Sequence, residues 1–267
     1  MGLFAKKITI FSFLAILAAA LTGCSSHTFV EGESLIVSTK DLPGYAEQSN
    51  VVVVDTRTPE EYAAGHVAGA VNIPTADIVI NVPVKNMLTS QKKIEKVMGS
   101  NGISNDTLVL AYDANKMGAS RLLWSLFMFG HQKVKVVDGG FDAIQTAGIQ
   151  LSTDIEAPAE AVFTAKEPSA NWLATMDEVR AQAENPDPHT ILLDVRSFEE
   201  YAEVGKVPTS LIIPYETNFF SDGTFKTTQI TRINYLEEKI YPEDEIILYC
   251  QTSMRAAPVF VQLYEAG

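Results

Sequence analysis

The chain has 267 residues, 46% hydrophobic and 20% charged, an ordinary globular composition with room for two domains. Its formal net charge of −13 argues against nucleic acid and anionic membrane surfaces as partners. Two cysteines, Cys24 and Cys250, and four scattered histidines, His27, His66, His131 and His189, form no cluster with metal-ligand spacing, so no metal is expected.

The N-terminus reads as an export signal. Lys6 and Lys7 precede an apolar run over residues 8–21. A comfortable membrane span needs about 20 apolar residues, and this run is shorter. It ends in Leu21-Thr22-Gly23-Cys24, followed by Ser25 and Ser26. That ending resembles the lipobox of bacterial lipoproteins, in which the cysteine is lipidated and becomes the first residue of the mature chain. The resemblance implies a signal peptide over residues 1–23, lipidation of Cys24, a tether over 24–33, and a membrane-anchored protein outside the cytoplasm. The alternative is an ordinary signal peptide, or an uncleaved anchor that happens to contain a cysteine. With Cys24 blocked by lipid, Cys250 is a lone thiol with no disulfide partner.

The first domain spans residues 34–150. Short apolar runs at 51–54, 71–73, 108–112 and 134–137 read as strands, and 91–98 and 121–129 as helices. Continuous apolar strands alternating with helices predict a parallel sheet covered on both faces, an α/β fold. Residues 151–170, rich in Ala, Pro, Glu and Thr, read as a linker. The second domain, residues 171–267, opens with a helix that Thr175 caps, with Glu178 three residues on.

The second domain repeats the first. Asp55-Thr-Arg57 followed by Glu60-Glu61-Tyr62 recurs as Asp194-Val-Arg196 followed by Glu199-Glu200-Tyr201, 139 residues on. Downstream the shift is 137 residues: Asp113 matches Cys250, Met117 matches Met254 and Ala119 matches Ala256. A repeat this long means two similar domains rather than a solenoid. Gly130 aligns with Gly267, so strand 134–137 and the turn Asp138-Gly139-Gly140 have no second counterpart. The second domain therefore reads as truncated, with an exposed sheet edge, and the sequence as a fragment of a longer chain.

The run Glu245–Arg255 carries the chemistry. An apolar strand, Ile246-Ile247-Leu248-Tyr249, delivers Cys250 to the polar turn Gln251-Thr252-Ser253-Met254, which Arg255 closes before a helix. A strand–loop–helix junction aims backbone N–H groups and a helix N-terminus at the loop. A thiolate held there is stabilised, and the thiolate is the nucleophile. Buried inert cysteine is the bland reading, and the polar loop with its arginine argues against it.

Two copies of Asp-x-Arg-x-x-x-Glu-Tyr, together with Tyr249-Cys250-x-x-x-x-Arg255 and Val137-Asp138-Gly139-Gly140-Phe141, resemble the tandem rhodanese-type sulfurtransferases over residues 34–267. The resemblance implies two rhodanese-like domains, the first non-catalytic with Asp113 at the cysteine position, the second catalytic through Cys250. Four residues separate Cys250 from Arg255; the loop of cysteine phosphatases is one residue longer, which disfavours phosphatase or arsenate reductase chemistry. The implied reaction moves a sulfane sulfur from thiosulfate or 3-mercaptopyruvate to cyanide or a thiol through a Cys250 persulfide. The N–H groups of Gln251, Thr252, Ser253, Met254 and Arg255 would hold the anionic persulfide, and Arg255 would lower the thiol pKa and recruit an anionic donor. The hydroxyls of Thr252 and Ser253 face the same anion, and no organic cofactor is implied. A sulfur carrier or redox-sensing module with little turnover is the alternative from another class.

The sequence departs from that family in three places. Glu200 stands where many members that use small sulfur anions have arginine, and a carboxylate facing the site would repel thiosulfate. Gly205-Lys206-Val207-Pro208-Thr209-Ser210 replaces the usual Gly-His-Ile-Pro-Gly-Ala, and Ser253 replaces a common glycine. The remaining polar residues have structural readings. Asp55–Arg57 and Asp194–Arg196 are loop-holding ion pairs, Asp113 marks a degenerate site, and His66 is a loop residue. Trp124, Phe127 and Phe129 are core, and the Met254 side chain fills space.

Overall fold

The computed structural model describes residues 34–267; the expected signal, Cys24 and the tether lie outside the described residues. The first copy runs β1 (Ile36–Val37), α1 (Leu42–Ala46), β2 (Val51–Asp55), α2 (Pro59–Ala64), β3 (His66–Val67), β4 (Val71–Asn72), β5 (Val79–Ile80), β6 (Met87–Leu88), α3 (Gln91–Ser100), β7 (Leu108–Tyr112), α4 (Met117–Met128), β8 (Val134–Val137), α5 (Gly140–Thr146) and β9 (Leu151–Ser152). The second runs α6 (Met176–Glu184), β10 (Thr190–Asp194), α7 (Phe198–Val204), β11 (Leu211–Ile212), α8 (Thr228–Glu237), β12 (Glu245–Tyr249) and α9 (Ala256–Ala266).

The predicted parallel sheets form. The first has five strands in the order β1-β8-β7-β2-β4, the second three in the order β11-β10-β12, all parallel. Strand β7 lies between β2 and β8, and its Val109, Leu110, Ala111 and Tyr112 are buried. Its counterpart β12 has a strand on one side only among the described residues, and Ile246, Ile247 and Leu248 are only half-buried.

Local chemistry explains most boundaries. Thr175 and Glu178 form the predicted capping box, and the same box recurs at Thr58/Glu61 and Ser197/Glu200. Helix α4 begins at Met117 rather than near Arg121. The reason is Asp113, whose carboxylate accepts from the amides of Gly118 and Ala119 and so caps the helix from outside it. His66 is not a loop residue: it is buried in β3, stacked on Tyr62 at 3.7 Å, with Nδ1 2.8 Å from the Tyr62 carbonyl oxygen. Residues 153–169 carry no strand or α-helix, yet Phe163 and Ala165 are buried in the first copy's core.

The two copies share an interface built on α4 and α9. Phe127 of α4 meets Trp172, Phe260 and Tyr264 at ring separations of 6.1, 6.1 and 5.6 Å. Nearby, Trp124 donates its indole N–H to the Trp172 carbonyl at 3.0 Å. Phe127 and Phe129 are buried and Trp124 is packed on the same core, as predicted.

One family departure is visible as backbone strain. Gly69 has φ of 78°, and its counterpart in the repeat, Thr209, has φ of 68°. A branched side chain in that conformation costs roughly 1–2 kcal/mol, and the unfolded-state entropy of glycine takes back part of it. Thr209 is exposed. Thr209→Gly is therefore expected to stabilise the protein by roughly 0.5–1 kcal/mol in urea unfolding; a destabilised variant would contradict this account.

Candidate active site

Cys250 stands at the C-terminal end of β12, half-buried and with a free thiol. Strand β12 pairs with β10 in parallel from Thr190↔Glu245 to Asp194↔Tyr249, which fixes where the chain leaves the sheet. The Tyr249 hydroxyl pins that exit: it accepts from the Val207 amide at 3.2 Å and lies 2.8 Å from Ser210 Oγ. Beside it, Arg196 Nη2 donates to Asp194 Oδ2 at 2.6 Å and to the Gly205 carbonyl at 2.7 Å. Arg57 makes the same two bonds to Asp55 and Gly65 in the first copy. These pairs brace loops, as the sequence reading holds, and neither is a dyad aimed at a substrate.

The loop itself collects every sequence-predicted site residue that falls within the described part of the chain. Gln251 and Ser253 are exposed, while Thr252, Met254 and Arg255 are half-buried. Ser253 has φ of 61°, the conformation that a glycine would adopt freely. Lys116, its counterpart in the first copy, has φ of 65°, so both copies fold the loop alike at this point. Arg255 is the N-cap residue of α9 and its side chain makes no capping bond. The first amides of α9 therefore have no capping side chain.

The first copy shows what this loop shape binds. The Asp113 carboxylate is fully inside it, accepting from the amides of Asn115 at 2.9 Å, Lys116, Gly118 at 2.5 Å and Ala119 at 3.1 Å. Burial pushes this carboxyl's pKa up, and the amides of Ala119, Lys116, Gly118 and Asn115 pull against it. By the 137-residue shift, the corresponding amides are those of Thr252, Ser253, Arg255 and Ala256. The first copy's loop thus encloses its own carboxyl group.

Arg255 has a partner that changes the charge of the site. It forms a two-pronged ion pair with Glu200, one prong Nη2–Oε1 at 2.8 Å. Glu200 is aimed there by its capping box with Ser197. Hydrogen bonds from Arg255 hold the Glu200 carboxyl down at about 2 against a usual 4.5, and the same pairing raises the guanidinium. Because the folded value lies below the unfolded one, the pair contributes stability above about pH 4.5 and loses it as pH falls toward 2. Glu200→Gln keeps the side chain's shape and removes its charge. Its urea midpoint is expected to fall below wild type at pH 7 and to converge on it by pH 2–3. A gap that does not narrow on acidification would contradict the pairing.

Two groups at this site come from the first copy and were not read from the sequence. Asn86, just before the end of the β5–β6 hairpin and at φ of 60°, donates Nδ2 to Thr252 Oγ1 at 3.1 Å. The Asn86 carbonyl in turn accepts from Arg121 Nη2 of α4 at 2.5 Å. An arginine inside an otherwise apolar helix was the available signal for Arg121; for Asn86 the sequence carried none. Two surface cavities of about 400 and 250 Å³ lie elsewhere, beside Gly65 and Leu151 and beside Leu35 and Leu108. Neither includes Cys250.

The family described as "Rhodanese-like domain" matches residues 38–147 and again residues 175–267. A protein named "Putative thiosulfate sulfurtransferase" in Mycobacterium leprae is 27% identical over 249 residues, covering 86% of this chain and 88% of its own. Its namesake in Mycolicibacterium smegmatis is 29% identical over 237 residues, covering 82% and 83%. Among solved structures, a 3-mercaptopyruvate sulfotransferase from Escherichia coli superposes with a TM-score of 0.78 at 23% identity, covering 88% of this chain and 95% of that one. An anaerobic ergothioneine biosynthesis enzyme from Chlorobium limicola reaches 0.76 at 21% identity, covering 86% and 64%. The structural likenesses speak for the fold, and the two matched segments coincide with the two copies of the repeat. The chain belongs to the rhodanese-like domain family, in which it is a tandem pair.

Proposed function

We propose that this protein is a sulfurtransferase that carries a sulfane sulfur on Cys250. The observation that carries this reading is the pair of matched loops: one holds the Asp113 carboxylate with four amides, and the other has a half-buried thiol in the place of that aspartate. The Cys250 thiolate attacks the outer sulfur of thiosulfate. The new S–S bond forms as the old one breaks, and sulfite leaves with the electron pair. With 3-mercaptopyruvate the C–S bond breaks instead, and the enolate that leaves takes a proton to become pyruvate. Cyanide or a thiol then attacks the outer sulfur and regenerates the thiolate, a two-step cycle with ping-pong kinetics. The amides of Thr252, Ser253, Arg255 and Ala256 stabilise the anionic persulfide as it forms.

The test is steady-state thiocyanate formation with a panel of donors: thiosulfate, 3-mercaptopyruvate and glutathione persulfide. Turnover with any donor that depends on Cys250 supports the reading, and none with all three overturns enzymatic transfer. One observation favours a second reading. Glu200 neutralises Arg255, which weakens the site's pull on a dianionic donor. A protein loaded on Cys250 by a partner would then act as a sulfur carrier, showing a persulfide without steady-state turnover.

The Leu21-Thr22-Gly23-Cys24 ending supports a second proposal, that Cys24 is lipidated and tethers the protein to a membrane outside the cytoplasm. Metabolic labelling with a radioactive fatty acid should mark the wild-type protein and not Cys24→Ser. Equal labelling, or none in either, would contradict it.

A further inference from the structure

Arg121 belongs to the first copy, yet hydrogen bonds through Asn86 connect it to the loop that carries the second copy's Cys250. It is 1% exposed, on a helix whose other positions in that stretch are Ser120, Leu122 and Leu123. Its Nη2 donates to the Asn86 carbonyl at 2.5 Å, and its guanidinium sits 4.5 Å from the Trp124 ring. Its buried Nε has no hydrogen-bond partner, and among the described residues no carboxylate pairs with it. A buried cation left in this state is unfavourable unless an anion stands nearby.

The candidate for that anion is Cys250, whose loop Arg121 reaches through Asn86. Asn86 links the two: its carbonyl takes Arg121, and its side-chain amide takes Thr252, two residues beyond the cysteine. Burial presses the Arg121 guanidinium down to about 10, and charge on Cys250 pulls it back up. Two cations, Arg255 and Arg121, interact electrostatically with Cys250. Arg255 lies in its own loop, already paired with Glu200 of α7. Tyr215, between β11 and α8, lies beside Arg255. Arg121 comes from α4.

We propose that Arg121 is a positioning residue for negative charge on Cys250, so that the non-catalytic copy supplies through α4 the uncompensated cation that balances the thiolate. This rests on the reading of Cys250 as the nucleophile. It gives the first copy a catalytic contribution that its own degenerate loop lacks.

The test follows alkylation rather than sulfur transfer, so the two ideas fail separately. Full-length wild type, Arg121→Met and Arg121→Lys are treated with iodoacetamide across pH, and the Cys250 peptide is quantified by mass spectrometry. Arg121→Met is expected to slow alkylation at pH 7 by roughly tenfold and move its profile to higher pH, and Arg121→Lys to restore most of both. A purely structural role would change stability and leave the profile in place. A folded Arg121→Met with the wild-type profile overturns the proposal. Wild type supplies a second measurement that needs no variant. A buried cation is poorly screened, so its profile should hold from low salt to about 1 M; a clear upward shift with salt would assign the effect to exposed charges and overturn the proposal.

Discussion

Cys250→Ser is expected to lower thiocyanate formation by a factor on the order of 10³ or more while leaving the fold unchanged. Serine has nearly the shape of cysteine, and Cys250 is only half-buried at the edge of the second copy's core, so the exchange disturbs little packing. The chemistry does not survive it. A hydroxyl at neutral pH is a far weaker nucleophile than a thiolate, and an oxygen cannot carry the transferred sulfur as a persulfide. Initial rates with saturating donor and cyanide, taken with thermal melts of both proteins, check the prediction. A variant that retains rates within tenfold of wild type would move the nucleophile elsewhere, and Cys24 is the only other thiol in the chain.

Phe127→Ala is expected to cost about 3–5 kcal/mol, the usual toll for deleting a fully buried aromatic ring. Phe127 is 2% exposed and sits where the two copies meet, in one cluster of rings with Trp172 and with Phe260 and Tyr264 of α9. The edge-on contacts with Phe260 and Tyr264 add to the area term. The loss reaches the site as well. Helix α9 begins at the end of the Cys250 loop, so a loosened seat for α9 loosens that loop and is expected to lower turnover in the surviving folded protein. Urea unfolding of wild type and variant measures the first effect. A loss below about 1 kcal/mol would show that the rings are peripheral to the interface.

Much of this fold was legible in the sequence because its signals are local. Runs such as residues 51–54 and 108–112 are apolar throughout, which is what a strand covered on both faces requires. The Asp-x-Arg pairs and the Thr175/Glu178 box close within three residues, so spacing alone predicts their bonds. Ser253 could be singled out through the family resemblance, in which that position is commonly glycine, and it has φ of 61°. What escaped depends on contacts between distant segments. Asn86 reaches Thr252 across 166 residues, and nothing in the local pattern around either announces the meeting. Arg121 was absorbed into an apolar helix whose burial was expected, although a charge in such a helix asks for a counter-charge. Glu200 stood out as a carboxylate where the family commonly has arginine, and its pairing with Arg255 did not. Ser197 caps its helix with it along the chain, whereas Arg255 pairs with it across the fold.

The most direct test of the account is the mass of the Cys250 peptide after the protein has met a sulfur donor and before any acceptor is added. The account predicts one added sulfur atom on Cys250, removed on addition of cyanide with release of an equivalent amount of thiocyanate. A folded protein whose Cys250 peptide keeps its original mass with every donor, or gains sulfur that cyanide cannot remove, would contradict it.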